Sequence, residues 1–188
     1  MIHFVLFSFF SINTIMPSDT CSGEPERFFS KPKTETEFKN TQKLVYDKIV
    51  WVSKNPGSRC AKDQMADVYF WIKGVPYLGV PFNSEYMPKF AENNEKYEYF
   101  NVFFSLFIYS QLLYMKDFEN NGPDDPKMIK FSLDFTLDSY SNFIDKTDSD
   151  GYAPLNEMLT LRREGGLEKY IAEKHEQYEA EKRMKKRK

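Results

Sequence analysis

Apolar residues recur at helical spacing through most of the chain. The first segment ends at Asn55, Pro56 and Gly57, which interrupt a helix, and the second ends at Gly74 with Pro76 close behind. These patterns predict a first helix ending before Asn55 and a second helix over Ala61–Lys73. The first stripe comprises Phe38, Thr41, Leu44, Val45, Lys48, Ile49 and Val52, and the second comprises Met65, Val68, Tyr69 and Ile72.

The next segment, Val75–Asn83, contains two prolines and a glycine among apolar residues, which predicts an extended, partly buried linker. From Glu85 to about Phe118 the pattern is helical again, with apolar residues on both faces. A helix that is apolar nearly all round is typical of the centre of a bundle. A membrane span is the alternative, but the apolar stretch Phe100–Met115 is shorter than the roughly 20 residues that a span needs. The two faces are Phe100, Phe103, Phe104 and Phe107, and Val102, Leu106, Tyr109 and Leu113.

A turn at Asn120–Pro126 precedes a fourth helix that is predicted to run to about Ile144. A shorter helix, Leu155–Arg163, is followed by two glycines and by a last helix from Leu167 onward. The stripe of the fourth helix is Ile129, Leu133, Leu137, Tyr140 and Ile144.

No segment shows the alternation of a strand, so the sequence predicts an all-α fold of about five helices, as an irregular bundle or as stacked helical hairpins. The predicted organisation is a hydrophobic leader over residues 1–20, a flexible polar linker over 21–34, a helical domain over 35–172 and a charged, basic tail over 173–188. The 41% hydrophobic content supplies enough apolar material for one core.

The leader prediction depends on Met1–Ile15, an apolar run followed by a polar, proline-containing stretch, as in a signal peptide. No Lys or Arg precedes the run, and a cytoplasmic protein that starts at Met16 is the alternative. Export to the periplasm or envelope is therefore the predicted localisation. Cys21 lies where a lipoprotein carries its acylated cysteine, but the residues before it match that signal poorly.

The two cysteines, Cys21 and Cys60, allow one disulfide in an oxidising compartment, although their spacing does not demand it. Cys60 follows Arg59 and precedes Lys62 near a helix start, a setting that lowers the pKa of a thiol. A reactive thiol is one interpretation of Cys60, and a buried cysteine near the helix cap or one end of a disulfide with Cys21 is the preferred one.

Charge excludes some partners. The 26 basic and 28 acidic residues give a net charge of -2, which argues against a nucleic-acid surface over the whole protein. Six of the last seven residues are basic, and this tail suits weak contact with an anionic surface or serves as a solvated end.

Recognisable chemistry is sparse, and no catalytic residue or cofactor is predicted. His175 lies in a highly charged helix, which predicts a solvated surface position. Asp148, Asp150 and Glu157 match three positions of a calcium-binding loop, but Lys146 occupies the first ligand position, where its charge would repel the metal. A plain acidic loop is the preferred interpretation.

Three segments together resemble an uncharacterised family of exported helical proteins from Bacteroidetes. They are IVWVSKNP (Ile49–Pro56), DVYFWIKGVP (Asp67–Pro76) and LNEMLTLRREGGLEKYI (Leu155–Ile171). The resemblance implies export and an all-helical fold, and it carries no established activity.

Three functions follow as hypotheses. The first is a periplasmic or envelope domain that binds another protein through its helical surfaces. The second is an enzyme or small-molecule-binding module around the aromatic central helix, with Tyr97 and Tyr99 as an aromatic wall and Glu95 and Glu98 as nearby acids. The third is a toxin-neutralising or secretion-accessory protein, which the sequence does not separate from the first.

Overall fold

The computed structural model describes residues 21–28, 30–79, 97–117, 125–147 and 151–185. Within these ranges the chain forms six helices and no strand, which confirms the all-α fold. The helices are α1 (Glu35–Lys54), α2 (Ala61–Gly74), α3 (Phe100–Asp117), α4 (Pro126–Thr147), α5 (Ala153–Arg163) and α6 (Leu167–Lys185).

The first helix begins where side chains satisfy its free backbone N–H groups. The Glu37 N–H donates to the hydroxyl of Thr34 at 3.3 Å, and the Glu37 carboxylate accepts from the Thr34 N–H at 3.2 Å. This reciprocal capping box places the start of α1 at Glu35. The helix ends before Asn55, as its sequence predicted.

The core lies around α3, which packs against α1, α2 and α4, and α4 in turn contacts α5 and α6. Both faces of α3 supply fully buried side chains, so its position in the bundle agrees with its nearly continuous apolar surface. None of the described helices combines the length and the apolar content needed to cross a bilayer. The fully buried apolar residues are Val45, Ile49, Val52, Ala61, Val68, Trp71, Phe103, Leu106, Phe107, Met128, Ile129, Leu137 and Tyr140.

The structure corrects two details of the predicted fold. The described helices number six rather than about five. Gly165, with a positive φ of 72°, separates α5 from α6 at the two glycines where the sequence predicted a break. The predicted helix from Glu85 to Phe118 is wrong as one continuous element, because residues 97–99 are not helical and α3 begins at Phe100. Residues 85–96 lie outside the described ranges. The described part of the Pro/Gly linker, residues 75–79, is not helical.

Two segments that were predicted to lie outside the helical domain contact it or extend it. Residues 21–28, in the predicted polar linker, contact α1 and α2 through side chains and carbonyl groups. Residues 173–185, in the predicted tail, continue α6 to Lys185.

The connection from α4 to α5 depends on one buried tyrosine. The hydroxyl of Tyr140 donates to the side-chain oxygen of Asn156 at 2.7 Å and accepts from the Tyr152 backbone N–H. Gly151 passes so close that a Cβ there would lie 2.1 Å from this hydroxyl, and its φ is +73°. The turn therefore needs glycine both for its left-handed backbone and for space.

We expect Gly151→Ala to lower the free energy of unfolding by about 2–4 kcal/mol, as the sum of left-handed strain and a steric clash. Gly165→Ala is the matched control, since Gly165 has a φ of +72° but no atom within 4 Å of the position that a Cβ would occupy. The control should cost only about 1–2 kcal/mol. Urea unfolding of both variants measures the difference, and equal losses would show that the Tyr140 contact has no energetic weight.

Candidate functional site

A buried polar cluster lies between α1 and α2. It comprises Lys48 of α1 and Gln64 and Asp67 of α2, all of which are buried although two carry charge. Charged residues are rarely buried unless they are paired. The role of this cluster therefore depends on which groups pair with its buried charges.

Every N–H donor of the Lys48 ammonium group has an acceptor. Its Nζ atom lies 2.6 Å from the carbonyl oxygen of Glu26, 2.6 Å from Oε1 of Gln64 and 3.0 Å from Oδ2 of Asp67. The ring of Phe28 lies 5.1 Å from the same atom, at a distance suited to a cation–π interaction. An ammonium group has three donors, so this one is fully satisfied.

The other two members of the cluster hold the segment that precedes α1. Gln64 donates to the carbonyl oxygen of Pro25 at 3.0 Å and to the carboxylate of Glu24 at 3.2 Å. Asp67 accepts two hydrogen bonds from the Arg27 guanidinium, at 2.7 and 2.9 Å, in the bidentate geometry that suits this pair. The cluster thus binds residues 24–28 as a peptide.

The electrostatic environment agrees with this geometry. Burial lowers the pKa of Lys48, because removal from water penalises its cation, and the hydrogen bond to Asp67 opposes that effect. Burial by itself raises the pKa of Asp67, but hydrogen bonds from Arg27 and Lys48 hold that pKa below its ordinary value of 3.8. Because the Lys48 donors are all engaged, its amine is a structural group in this arrangement.

A disulfide closes the same region. Cys21 and Cys60 are bonded, with their Cα atoms 5.8 Å apart, so Cys60 carries no free thiol here. Cys21, Glu24 and Cys60 offer three potential ligand atoms within 4.8 Å of one another, but the two sulfur atoms are bonded to each other. The bond fixes one end of residues 21–28 to the start of α2.

A separate groove of about 270 Å³ lies on the outer surface between α2 and α3. Its floor is apolar and buried, formed by Met65, Val102 and Tyr109. Its rim includes the exposed side chain of Lys62 and the hydroxyl-bearing Ser105. This volume is below the roughly 300–1,000 Å³ of small-molecule pockets, so the groove fits one or two side chains better than a cofactor.

Two adjacent aromatic residues stand beside this groove. Tyr69, which lines it, is 48% exposed, and Phe70 is 45% exposed, with ring centroids 5.5 Å apart. The ammonium group of Lys31 lies 3.8 Å from the centroid of the Phe70 ring. Contiguous exposed surface from large apolar side chains is a feature of protein interaction sites. We call the groove and this pair the aromatic patch.

The sites suggested by sequence are scattered. Asp148, Asp150 and Glu95 lie outside the described residues, and Glu157 is exposed on α5. Tyr97 stacks on Tyr152 with centroids 4.9 Å apart and, like Tyr99, packs against the core, so neither forms an open aromatic wall.

His175 is half-buried on α6, where it lines a surface pocket of about 350 Å³ together with Pro126, Lys130, Glu168 and Ile171. The sequence placed this histidine in solvent. The pocket mixes charges of both signs and contains no arrangement of a nucleophile with a base among its described residues.

Sequence reasoning did not identify the polar cluster as a site. Its signal was present, because Lys48 occupies a position on the apolar stripe of α1, where a charge needs a buried partner. The same logic applies to Thr41, whose hydroxyl accepts a hydrogen bond of 3.0 Å from the Trp71 indole.

No family model matches this chain, and neither the curated proteins nor the solved structures yield a significant match.

Proposed function

We propose that this chain is an exported protein-interaction domain that binds a partner protein through the aromatic patch. The observation that carries the proposal is the exposed pair Tyr69 and Phe70, of which Tyr69 lines a groove with an apolar floor. Aromatic residues next to pockets commonly supply most of the binding energy of an interface. The fully satisfied Lys48 cluster offers no comparable open surface.

The chemistry of the patch defines the partner. The groove accommodates one or two apolar side chains, the exposed Lys62 places positive charge at its edge, and Lys31 adds a second cation over the Phe70 ring of the aromatic patch. A partner segment with a large apolar side chain flanked by Asp or Glu complements both features. The patch therefore fits an acidic, apolar segment of another protein.

Two observations support export. The Cys21–Cys60 disulfide is of a kind that persists in oxidising compartments such as the periplasm. The apolar run Met1–Ile15, followed by a polar stretch, is typical of an export signal.

We expect the double variant Tyr69→Ala/Phe70→Ala to weaken partner binding at least about 30-fold, because hot-spot aromatics contribute about 2 kcal/mol or more. A photo-crosslinking amino acid at position 69 identifies the partner in native cells, and titration of that purified partner measures affinity. The Lys62→Glu variant should also bind more weakly, since it places an acid against the acidic segment.

The matched control is Met184→Ala, which removes another exposed large apolar side chain, on α6. This control should bind as the unmodified protein does. Equal crosslinking from positions 69 and 184, or unchanged affinity of the double variant, would contradict the proposal. A crosslink to a second copy of this chain would instead identify the patch as a self-association surface.

A further inference from the structure

We propose that the Cys21–Cys60 disulfide is a redox latch: it keeps residues 21–28 over the Lys48 cluster, and its reduction releases this segment and opens Lys48 to solvent. The latch requires no partner protein and is independent of the proposed function. It acts on a surface that the protein covers with part of its own chain.

The contacts of the segment are arranged as a strap with one covalent end. Cys21 is bonded to Cys60, while the carbonyl groups of Pro25 and Glu26 and the guanidinium of Arg27 bind the polar cluster. Phe28 is the segment's large apolar residue and packs against the core. The strap therefore combines one covalent bond, several polar contacts and little apolar burial.

Polar contacts of this kind stabilise docking only weakly. Lys48 gives up water when the segment covers it, and the lowered pKa of its amine reflects that loss. Its new hydrogen bonds largely replace those that water supplied, so the net gain is small. Arg27 remains about half exposed, which weakens its ion pair with Asp67 through solvent screening.

The disulfide adds to these weak contacts a covalent restraint on the position of the segment. It joins residues 39 positions apart and so holds the segment close to the cluster, with less conformational freedom to lose on docking. Without the bond, residues 21–28 are held over the cluster only by their non-covalent contacts and by the chain that leads into α1. Dissociation of the segment also returns Lys48 to water, which removes the cost of burying the amine.

An external dithiol reduces the Cys21–Cys60 disulfide and is the reductant of the redox latch. A thiolate of the dithiol attacks one sulfur of the disulfide, forms a mixed disulfide and releases the other cysteine. The second thiol of the reductant then displaces the first cysteine. Two electrons and two protons pass to the protein, giving thiols at Cys21 and Cys60 and an oxidised, cyclic reductant.

The helices beneath the strap have contacts that do not involve it. Trp71 of α2 packs edge-on against Phe38 of α1 with centroids 5.8 Å apart and donates to Thr41. Because these contacts persist after reduction, the opening is local and leaves the packing of α1 on α2 intact.

Lysine acetylation tests the latch. The oxidised protein is treated briefly with an N-hydroxysuccinimide acetate, before and after dithiothreitol, and peptide mass spectrometry compares Lys48 with Lys43. Lys43 is the internal reference, since its side chain is 86% exposed on the same helix. We expect Lys48 to react at least about tenfold more slowly than Lys43 in the oxidised protein and to approach the rate of Lys43 after reduction.

Two variants separate the covalent from the polar contribution. Cys21→Ser should expose Lys48 without reductant, whereas Arg27→Ala, with the disulfide intact, should leave Lys48 protected. Far-UV circular dichroism should show unchanged helix content in all samples.

Several results would overturn the inference. Continued protection of Lys48 after reduction would show that polar contacts alone hold the segment, and exposure in oxidised Arg27→Ala would show that the bond is insufficient. Fast acetylation in the oxidised protein would show that the segment is not docked. A loss of helix content on reduction would show that the disulfide stabilises the whole fold rather than this segment.

Discussion

Asp67→Ala is expected to lower the free energy of unfolding by about 3–5 kcal/mol, because it leaves the buried cation of Lys48 without its counter-ion. Arg27 loses its bidentate partner in the same variant. Urea unfolding followed by far-UV circular dichroism measures the loss.

The matched control is Asp63→Ala, on the same helix. Asp63 also pairs with Arg27, at 3.3 Å, but its side chain is 66% exposed, against 11% for Asp67. An exposed ion pair contributes at most about 1 kcal/mol, so this control should be nearly neutral. Equal losses in the two variants would refute the view that burial gives the Asp67 pair its weight.

The same carboxylate predicts a dependence on pH. The pKa of Asp67 is lower in the folded protein than its ordinary value of 3.8, so its ionisation stabilises the fold. This contribution is complete above about pH 4 to 5 and is lost as pH falls through the lower pKa of the folded state. The difference in stability between the unmodified protein and Asp67→Ala should therefore narrow below about pH 4, and a constant difference would contradict the ionic interaction.

Trp71→Ala should cost a further large amount, about 3–5 kcal/mol, through the cavity that it leaves at the junction of α1 and α2. Trp71 is fully buried, contacts Phe38 edge-on and donates to the hydroxyl of Thr41. Trp71→Phe retains a ring but loses the hydrogen bond, and a smaller cost of about 1–2 kcal/mol is expected.

Trp51 provides the control, as the other tryptophan of the chain and only partly buried. Trp51→Ala should cost less than Trp71→Ala, and each variant keeps one indole as a fluorescent probe of unfolding. If Trp51→Ala lowers the free energy of unfolding more than Trp71→Ala does, Trp71 is not the main stabilising residue of the α1–α2 contact.

Much of the fold followed from local patterns. The Asn-Pro-Gly break after α1 and the Gly-x-Pro break after α2 lie at the observed helix ends, because these residues end helices through their own backbone restrictions. The apolar positions of α4 likewise became core positions. Periodicity could not locate the start of α3, since the residues from Glu85 onward are compatible with a helix that the structure does not form at residues 97–99.

The candidate sites were less predictable than the fold. Tyr69 belongs to the apolar stripe of α2 by spacing, yet almost half of it is exposed, because its burial depends on how closely α3 approaches. Lys48 belongs to the stripe of α1, and the polar groups that stabilise it there come from α2 and from residues 24–28.

The helical class, most helix ends and the apolar faces follow from the order of the residues alone, because side-chain spacing along a helix is a local property of the backbone. The placement of Asp67, Gln64 and Glu26 around Lys48, and of Tyr69 beside an open groove, follows from the packing of the helices. Those facts depend on the angle and register at which α1, α2 and α3 pack. Many such arrangements satisfy the same apolar stripes, so the stripes alone do not select one.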